Sequence, residues 1–218
     1  MKKRIVILLS AMLVFLLAAC GSTADGSSHP EESASDQQTG SASRQPDESA
    51  ENTADTAATD ILVVYFSATG TTKPIAEQMA DILGADLYEI VPENPYSDAD
   101  LNYNNNSCRA NTEQNNSASR PEISGTVENM EQYDTVLIGH PIWWGEEPRI
   151  MDTFMESYGW SGKTLVNFCT SGGSGIGTAT ANLRELSPDA NWLEGHRFQS
   201  NASEDDIREW LDNIGVLN

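Results

Sequence analysis

Ile61-Leu62-Val63-Val64-Tyr65-Phe66-Ser67-Ala68-Thr69-Gly70-Thr71-Thr72 is an apolar run that ends in hydroxyls and a single glycine. Six apolar or aromatic residues without alternation predict a strand covered on both faces, as in a parallel sheet flanked by helices. Lys73 to Gly84 predicts the helix that follows. Pro74 is tolerated in its first turn, Ile75, Met79, Ile82 and Leu83 recur at helical spacing, and Gly84 is its stop. Where strand, turn and helix meet, the free N–H groups of the first helical turn and the helix dipole both favour an anion. Ser67, Thr69, Thr71 and Thr72 add hydroxyl donors. This corner is the expected seat of a phosphate.

The loop lacks the second glycine and the Lys-Ser/Thr pair of a nucleoside-triphosphate loop, and the three spaced glycines of a dinucleotide loop. Ser67 to Thr72 resembles instead the phosphate loop of flavodoxins, Thr/Ser-x-Thr-Gly-x-Thr, which holds the monophosphate of FMN with hydroxyls and amides. A plain N-cap rich in Ser and Thr is the bland alternative.

Working outward, Asp86 to Val91 alternates into a second strand that Pro92 and Pro95 end. Tyr96 to Ser124 is long and Asn-rich where connections usually run about 4 to 6 residues. Short helices are expected near 98–104 and 105–116, with Tyr103 and Arg109 as ligand-facing candidates. Thr135 to His140 is the next strand. After it comes Pro141-Ile142-Trp143-Trp144-Gly145-Glu146-Glu147-Pro148, two tryptophans at the strand edge where open parallel sheets bind ligands. This loop also resembles a flavodoxin loop, the one that covers the flavin ring. The resemblance puts Trp143 on the stacking position, with Pro141 and Ile142 before it and Trp144 and Gly145 on backbone contacts. Core packing under the loop is the alternative for two neighbouring tryptophans.

Thr164 to Thr170 makes a fourth strand and runs into Ser171-Gly172-Gly173-Ser174-Gly175-Ile176-Gly177. That run is similar to the Gly-rich turn of short-chain dehydrogenases, but it follows the wrong strand, and no tyrosine here has lysine four positions on. By resemblance it is the third flavin loop, with Thr170, Ser171, Gly172, Gly173 and Gly175 approaching the polar edge of the ring. Many flavodoxins carry an aromatic residue there; this loop has none. Asn191 to Phe198 reads as an edge strand, and Ser203 with Asp206 caps a last helix bearing Ile207, Trp210, Leu211 and Ile214. His140, at a strand end, is a candidate proton donor with a structural role as its alternative. A phosphoacceptor receiver domain is disfavoured, because Ser67, His140 and Gln199 stand where it needs acids and a lysine.

The first sixty residues have another character. A basic start, an apolar segment from Ile5 to Ala19 and Leu17-Ala18-Ala19-Cys20 resemble a bacterial lipoprotein signal, in which residues 1–19 are removed and Cys20 is lipidated. Gly21 to Thr59, within the 20–59 tether, is Ser, Ala, Thr, Asp, Glu and Gln with almost no large apolar residue. It is expected to be a disordered leash with a span of about 35 Å. Asp60 to Asn218 carries eight Lys/Arg against 25 Asp/Glu, a net −17, which argues against nucleic acid and against lying flat on anionic lipid. Cys108 and Cys169 are the remaining thiols; their spacing does not decide whether they pair.

The expectation for residues 60–218 is therefore an α/β domain, a flavodoxin-like three-layer α/β/α sandwich on a five-stranded parallel sheet of order 2-1-3-4-5. The resemblance implies FMN as cofactor and low-potential electron transfer at the outer face of the cell membrane. Trp143, with Glu146 and Glu147, is expected to disfavour an anionic reduced flavin. An FMN-dependent NAD(P)H:quinone-type oxidoreductase and a non-redox binding module are the alternatives. The redox partner is not specified by the residues.

Overall fold

The computed structural model describes residues 60–217; the signal segment, Cys20 and the tether lie outside them. β1 (Ile61–Tyr65) is buried from Leu62 onward, as its unbroken apolar run requires. α1 (Lys73–Leu83) buries Ile75, Ala76, Met79 and Ala80 and ends at Gly84, whose φ of 60° is the left-handed stop. β2 (Asp86–Glu89) lies parallel to β1, with Leu62 opposite Asp86. Ile90 still donates its amide to the Tyr65 carbonyl at 2.7 Å, and there the chain leaves the sheet. β3 (Val91–Pro92) pairs antiparallel with β4 (Ile123–Ser124), and α2 (Arg109–Gln114) lies in the insertion between them.

β5 (Thr135–Pro141) runs parallel to β1 on its other side, α3 (Arg149–Glu156) follows, and β6 (Thr164–Thr170) lies parallel beyond β5. α4 (Gly177–Glu185) leads to β7 (Asn191–Trp192) and β8 (His196–Phe198), which both pair in parallel with β6; α5 (Glu204–Asn213) closes the domain. The order β2-β1-β5-β6, with β7 and β8 sharing the outer position, is the expected 2-1-3-4-5. Strand periodicity divides the core in two. Leu62, Val64 and Phe66 face one side with Ile150, Phe154 and Leu183 of α3 and α4. Val63 and Tyr65 face the other with Met79 of α1 and Ile207 and Leu211 of α5. Helices thus cover both faces, a flavodoxin-like three-layer sandwich.

Three local expectations are corrected. The edge strand is broken at Leu193 to Gly195, where a Cβ on Gly195 would lie 2.7 Å from the Asn167 carbonyl oxygen. No helix forms over 98–104: Ser97 and Asp100 exchange cap-like bonds, but the asparagines that follow compete with helical bonding and the chain stays in turns. The second short helix shrinks to α2, where the Sγ of Cys108 accepts the Asn111 amide at 3.4 Å. Cys108 and Cys169 are both free and buried, so the thiols do not pair. Among the described residues no helix is long and apolar enough to cross a membrane.

Candidate functional site

The turn after β1 is closed by its own hydroxyl. Ser67 Oγ accepts the amides of Thr72 and Lys73, at 3.1 and 3.2 Å, so a side-chain oxygen sits at the N-terminus of α1 where an anion's oxygen would. Gly70 has a φ of 78° and nothing within 4 Å of where a Cβ would stand. Thr69 and Thr71 hydroxyls lie 3.2 Å apart on the exposed rim. Thr72 departs from its expected role: it is fully buried, and its Oγ1 is bonded at 2.8 Å to Thr170 Oγ1 at the end of β6. That bond fixes the start of α1 to the neighbouring strand ends. Ala68 packs against the core.

The loop after β5 is a two-residue hairpin. Trp143 and Glu146 exchange backbone bonds of 2.9 and 3.0 Å around Trp144 and Gly145, whose φ values are 48° and 91°. Positive φ at both centres is the type I′ turn, which usually takes Asn-Gly; a tryptophan in the left-handed region is strained. The result separates the two indoles. Trp143 is only 5 % exposed, set edge-on against Phe66 and Tyr96, whereas Trp144 is 50 % exposed. Tyr103, from the insertion, stands edge-on to both, at 6.1 and 5.4 Å.

These parts meet in a cleft of about 510 Å³ lined by Thr69, Thr71, Tyr103, Pro141, Ile142, Trp143, Thr170, Ser171, Gly172, Arg197, Gln199 and Ser200. Nine of these were expected from sequence, Tyr103 among them. Ser67 and Thr72 stand behind the rim, and Gly70, Trp144, Gly145, Gly173 and Gly175 lie outside the lining, although Gly173 donates its amide to Ser171 Oγ at 3.1 Å. Arg197, Gln199 and Ser200 were missed because an edge strand and its exit carry no local motif. A larger groove of about 680 Å³ between β8 and α5 shares Arg197 and Gln199 but touches neither the α1 N-terminus nor an indole of the β5 loop.

Other candidates are engaged elsewhere. His140 is fully buried, with Nδ1 2.9 Å from the Pro141 carbonyl oxygen and Nε2 2.9 Å from Asn167 Oδ1; burial pulls its pKa down to about 4, so it is neutral and structural. Arg109 turns from the cleft to Glu113 and the Asn94 carbonyl, 2.6 Å from each, and lies over the Tyr96 ring. Glu147 is fully buried and accepts both 3.1 and 3.2 Å bonds from Asn182 Nδ2. Burial first, then the nearby Asp152 charge, pushes its carboxyl up to about 8. Asp152 is raised by burial too, against the pull of Arg149 and Arg120. Glu146 is paired with Arg149 at 2.6 Å. Among the described residues no His/Cys/Asp/Glu group is placed to hold a metal.

Comparison with known proteins agrees with this architecture. The flavodoxin family profile matches residues 60–214. A candidate flavoprotein of Bacteroides eggerthii is 49 % identical, with a TM-score of 0.67 over 71 % of this chain and 96 % of its own. One of Bacteroides uniformis is 39 % identical, with a TM-score of 0.68 over 71 % and 98 %. A Lactobacillus acidophilus flavoprotein in complex with FMN is 25 % identical, with a TM-score of 0.54 over 69 % and 97 %. Among curated proteins no match was found. With the profile spanning the whole sandwich, the chain belongs to the flavodoxin family.

Proposed function

We propose that the domain is an FMN-dependent electron carrier tethered through a lipid on Cys20 to the outer face of a bacterial membrane. The observation that carries the redox reading is one cleft joining the hydroxyl-rich turn before α1 to an aromatic wall at the carboxyl ends of parallel strands. The residues fit the cofactor. The Thr72 and Lys73 amides already donate to one oxygen, Ser67 Oγ, and the bare approach at Gly70 with the Thr69 and Thr71 hydroxyls completes a phosphate seat without lysine. Pro141, Ile142, Trp143 and Tyr103 offer an apolar wall, while Ser171, Gly172 and Gln199 offer polar groups for the other edge of a ring. FMN supplies the electron-transfer chemistry; the chain binds it, orients it and sets its electrostatics.

The test is a titration of the purified chain with FMN, following quenching of flavin fluorescence, with riboflavin as control. Tight quenching by FMN and at least tenfold weaker binding of riboflavin are expected from a phosphate seat; no binding of either would leave only a non-redox module on this fold. An oxidoreductase is the second reading, favoured by the third loop, which leaves the cleft without an aromatic cover on that side. Two resolved one-electron steps on reduction select the carrier; a single two-electron step with NAD(P)H turnover selects the enzyme. For the anchor, Cys20→Ala is expected to move the protein from the membrane fraction to the medium, and an unchanged distribution refutes it.

A further inference from the structure

The cleft's electrostatics run against those of the domain that holds it. Asp60 to Asn218 is −17, yet no carboxylate lines the cleft and one cation does, Arg197. Lys73, Arg109, Arg120, Arg149 and Arg208 are all paired with carboxylates. Among the described residues Lys163, Arg184 and Arg197 have no such pair; Lys163 bonds the Met130 and Tyr133 carbonyls and Arg184 lies over Trp192, so Arg197 alone of the three lines the cleft. Its Nη1 donates to the Ser171 carbonyl at 3.0 Å, at the start of the loop after β6. Asp206 and Glu209 line the neighbouring groove, but Asp206 is taken by the Ser203 amide and hydroxyl at 2.9 and 2.7 Å, and neither forms an ion pair with Arg197. Strand alternation explains the direction. His196 and Phe198 both contact Trp210 on α5, so Arg197 between them projects to the other face. A half-buried guanidinium without a counterion is a cost unless an anionic or electron-rich group comes to it.

Position decides which group. β8 is the third strand from β1 across the sheet, about 14 Å away at ordinary strand spacing, whereas the phosphate seat lies at the end of β1. The seat is furnished by amides and hydroxyls, and the guanidinium belongs with Ser171, Gly172 and Gln199 at the far end. We propose that Arg197 is a potential-setting residue of the flavin site, its charge facing the polar edge of the ring and favouring the reduced state. This rests on the FMN reading. The reduced ring holds more negative charge at that edge than the oxidised ring, so a cation there raises the potential. The two carboxylates expected to lower it are removed from play, Glu146 by Arg149 and Glu147 by burial with a proton.

The experiment compares the parent chain with Arg197→Gln, which keeps a donor for the Ser171 carbonyl and loses the charge, and Arg197→Lys, which keeps the charge. FMN and riboflavin affinities are measured first, then the midpoint potential of the FMN-loaded protein during dithionite titration against a reference dye. A unit charge at roughly 12 Å and an effective dielectric near 20 is worth about tenfold in the oxidised–reduced equilibrium. Arg197→Gln is therefore expected to lower a two-electron midpoint by about 30 mV, and Arg197→Lys to stay near the parent. An unchanged potential in Arg197→Gln overturns the proposal. So does an equal fall in Arg197→Lys, because the charge would then not be what sets the potential. Failure of the parent to bind either flavin is seen before any variant is made, and sinks the FMN reading itself.

Discussion

The buried carboxyl of Glu147 makes the stability of this domain depend on pH in a window where most proteins are level. Its folded pKa is raised from 4.5 to about 8 by burial and by Asp152. In that range the folded chain holds a proton that the unfolded chain has lost, so stability is full below about pH 4.5 and falls as pH rises towards 8. His140 acts with the opposite sign: its pKa is lowered from 6.5 to about 4, so the unfolded state binds the extra proton and stability grows as pH rises to 6.5. The surface histidine, His196, is lowered too and acts in the same direction. Above pH 6.5 the histidine contribution fades as the unfolded chain loses those protons. Between there and about pH 8 the Glu147 proton outweighs it, at up to about 1.4 kcal/mol per pH unit, or about 1 kcal/mol net across the window. Glu147→Gln keeps an acceptor for Asn182 and offers its NH₂ to Asp152 in place of the shared proton. Urea unfolding in half-unit steps from about pH 6 to 8.5 is expected to show the parent weakening above pH 6.5 and the variant level or rising slightly, at equal m. Equal losses in the two proteins would refute the buried proton.

Three further outcomes follow from the packing. Gly139→Ala puts a methyl 2.2 Å from the Phe168 ring in the middle of the sheet and is expected to cost about 1 to 3 kcal/mol in urea unfolding; a neutral result would mean the ring moves freely. Thr72→Val removes the buried bond to Thr170 and leaves that hydroxyl unpaired, a loss of about 1 to 3 kcal/mol, checked by the double variant with Thr170→Val, which is expected to recover part of it. Trp144→Asn relieves left-handed strain of about 1 to 2 kcal/mol and gives up the edge-on contact with Tyr103, worth about 0.5 to 1.5 kcal/mol. Stability is thus expected to hold or rise slightly, and a loss above about 1 kcal/mol would show that Trp144 packs more than its exposure implies.

What was legible in the sequence was local. The passage from Ile61 to Gly84 holds strand, turn and helix within one contiguous stretch, and each element follows from its own residues. The two-sided core followed as well, because uninterrupted apolar strands require cover on both faces. The rest depended on residues meeting from far apart. Nothing in Trp143-Trp144 says which indole turns inward; a positive φ at Trp144 decides it. Thr72 looked like its hydroxyl neighbours until Thr170, at the end of another strand, took its side chain inward. Glu147 looked like a loop acid, and its burial comes from Gln114, Arg149 and Asn182, delivered by three different helices. Arg197 sat on a strand without a motif and gained meaning only from the end of β6 beside it.

The short ribbon of β3 and β4 bears on how this domain can change. Val91–Pro92 and Ile123–Ser124 pair with each other, not with the main sheet, so residues 93–122 leave and return through a single clasped neck. Closing a loop at its base makes its length a weak term, since doubling a flexible loop adds only about 0.6 kcal/mol. Its exposed turns can therefore lengthen or shorten without renegotiating the strand order, while Cys108, Ala110 and Gln114 hold the excursion to the core. Yet the same excursion delivers Tyr103 to the cleft wall. The architecture sets apart a part free to vary from a part bound to stay, and places the variable part against the ligand.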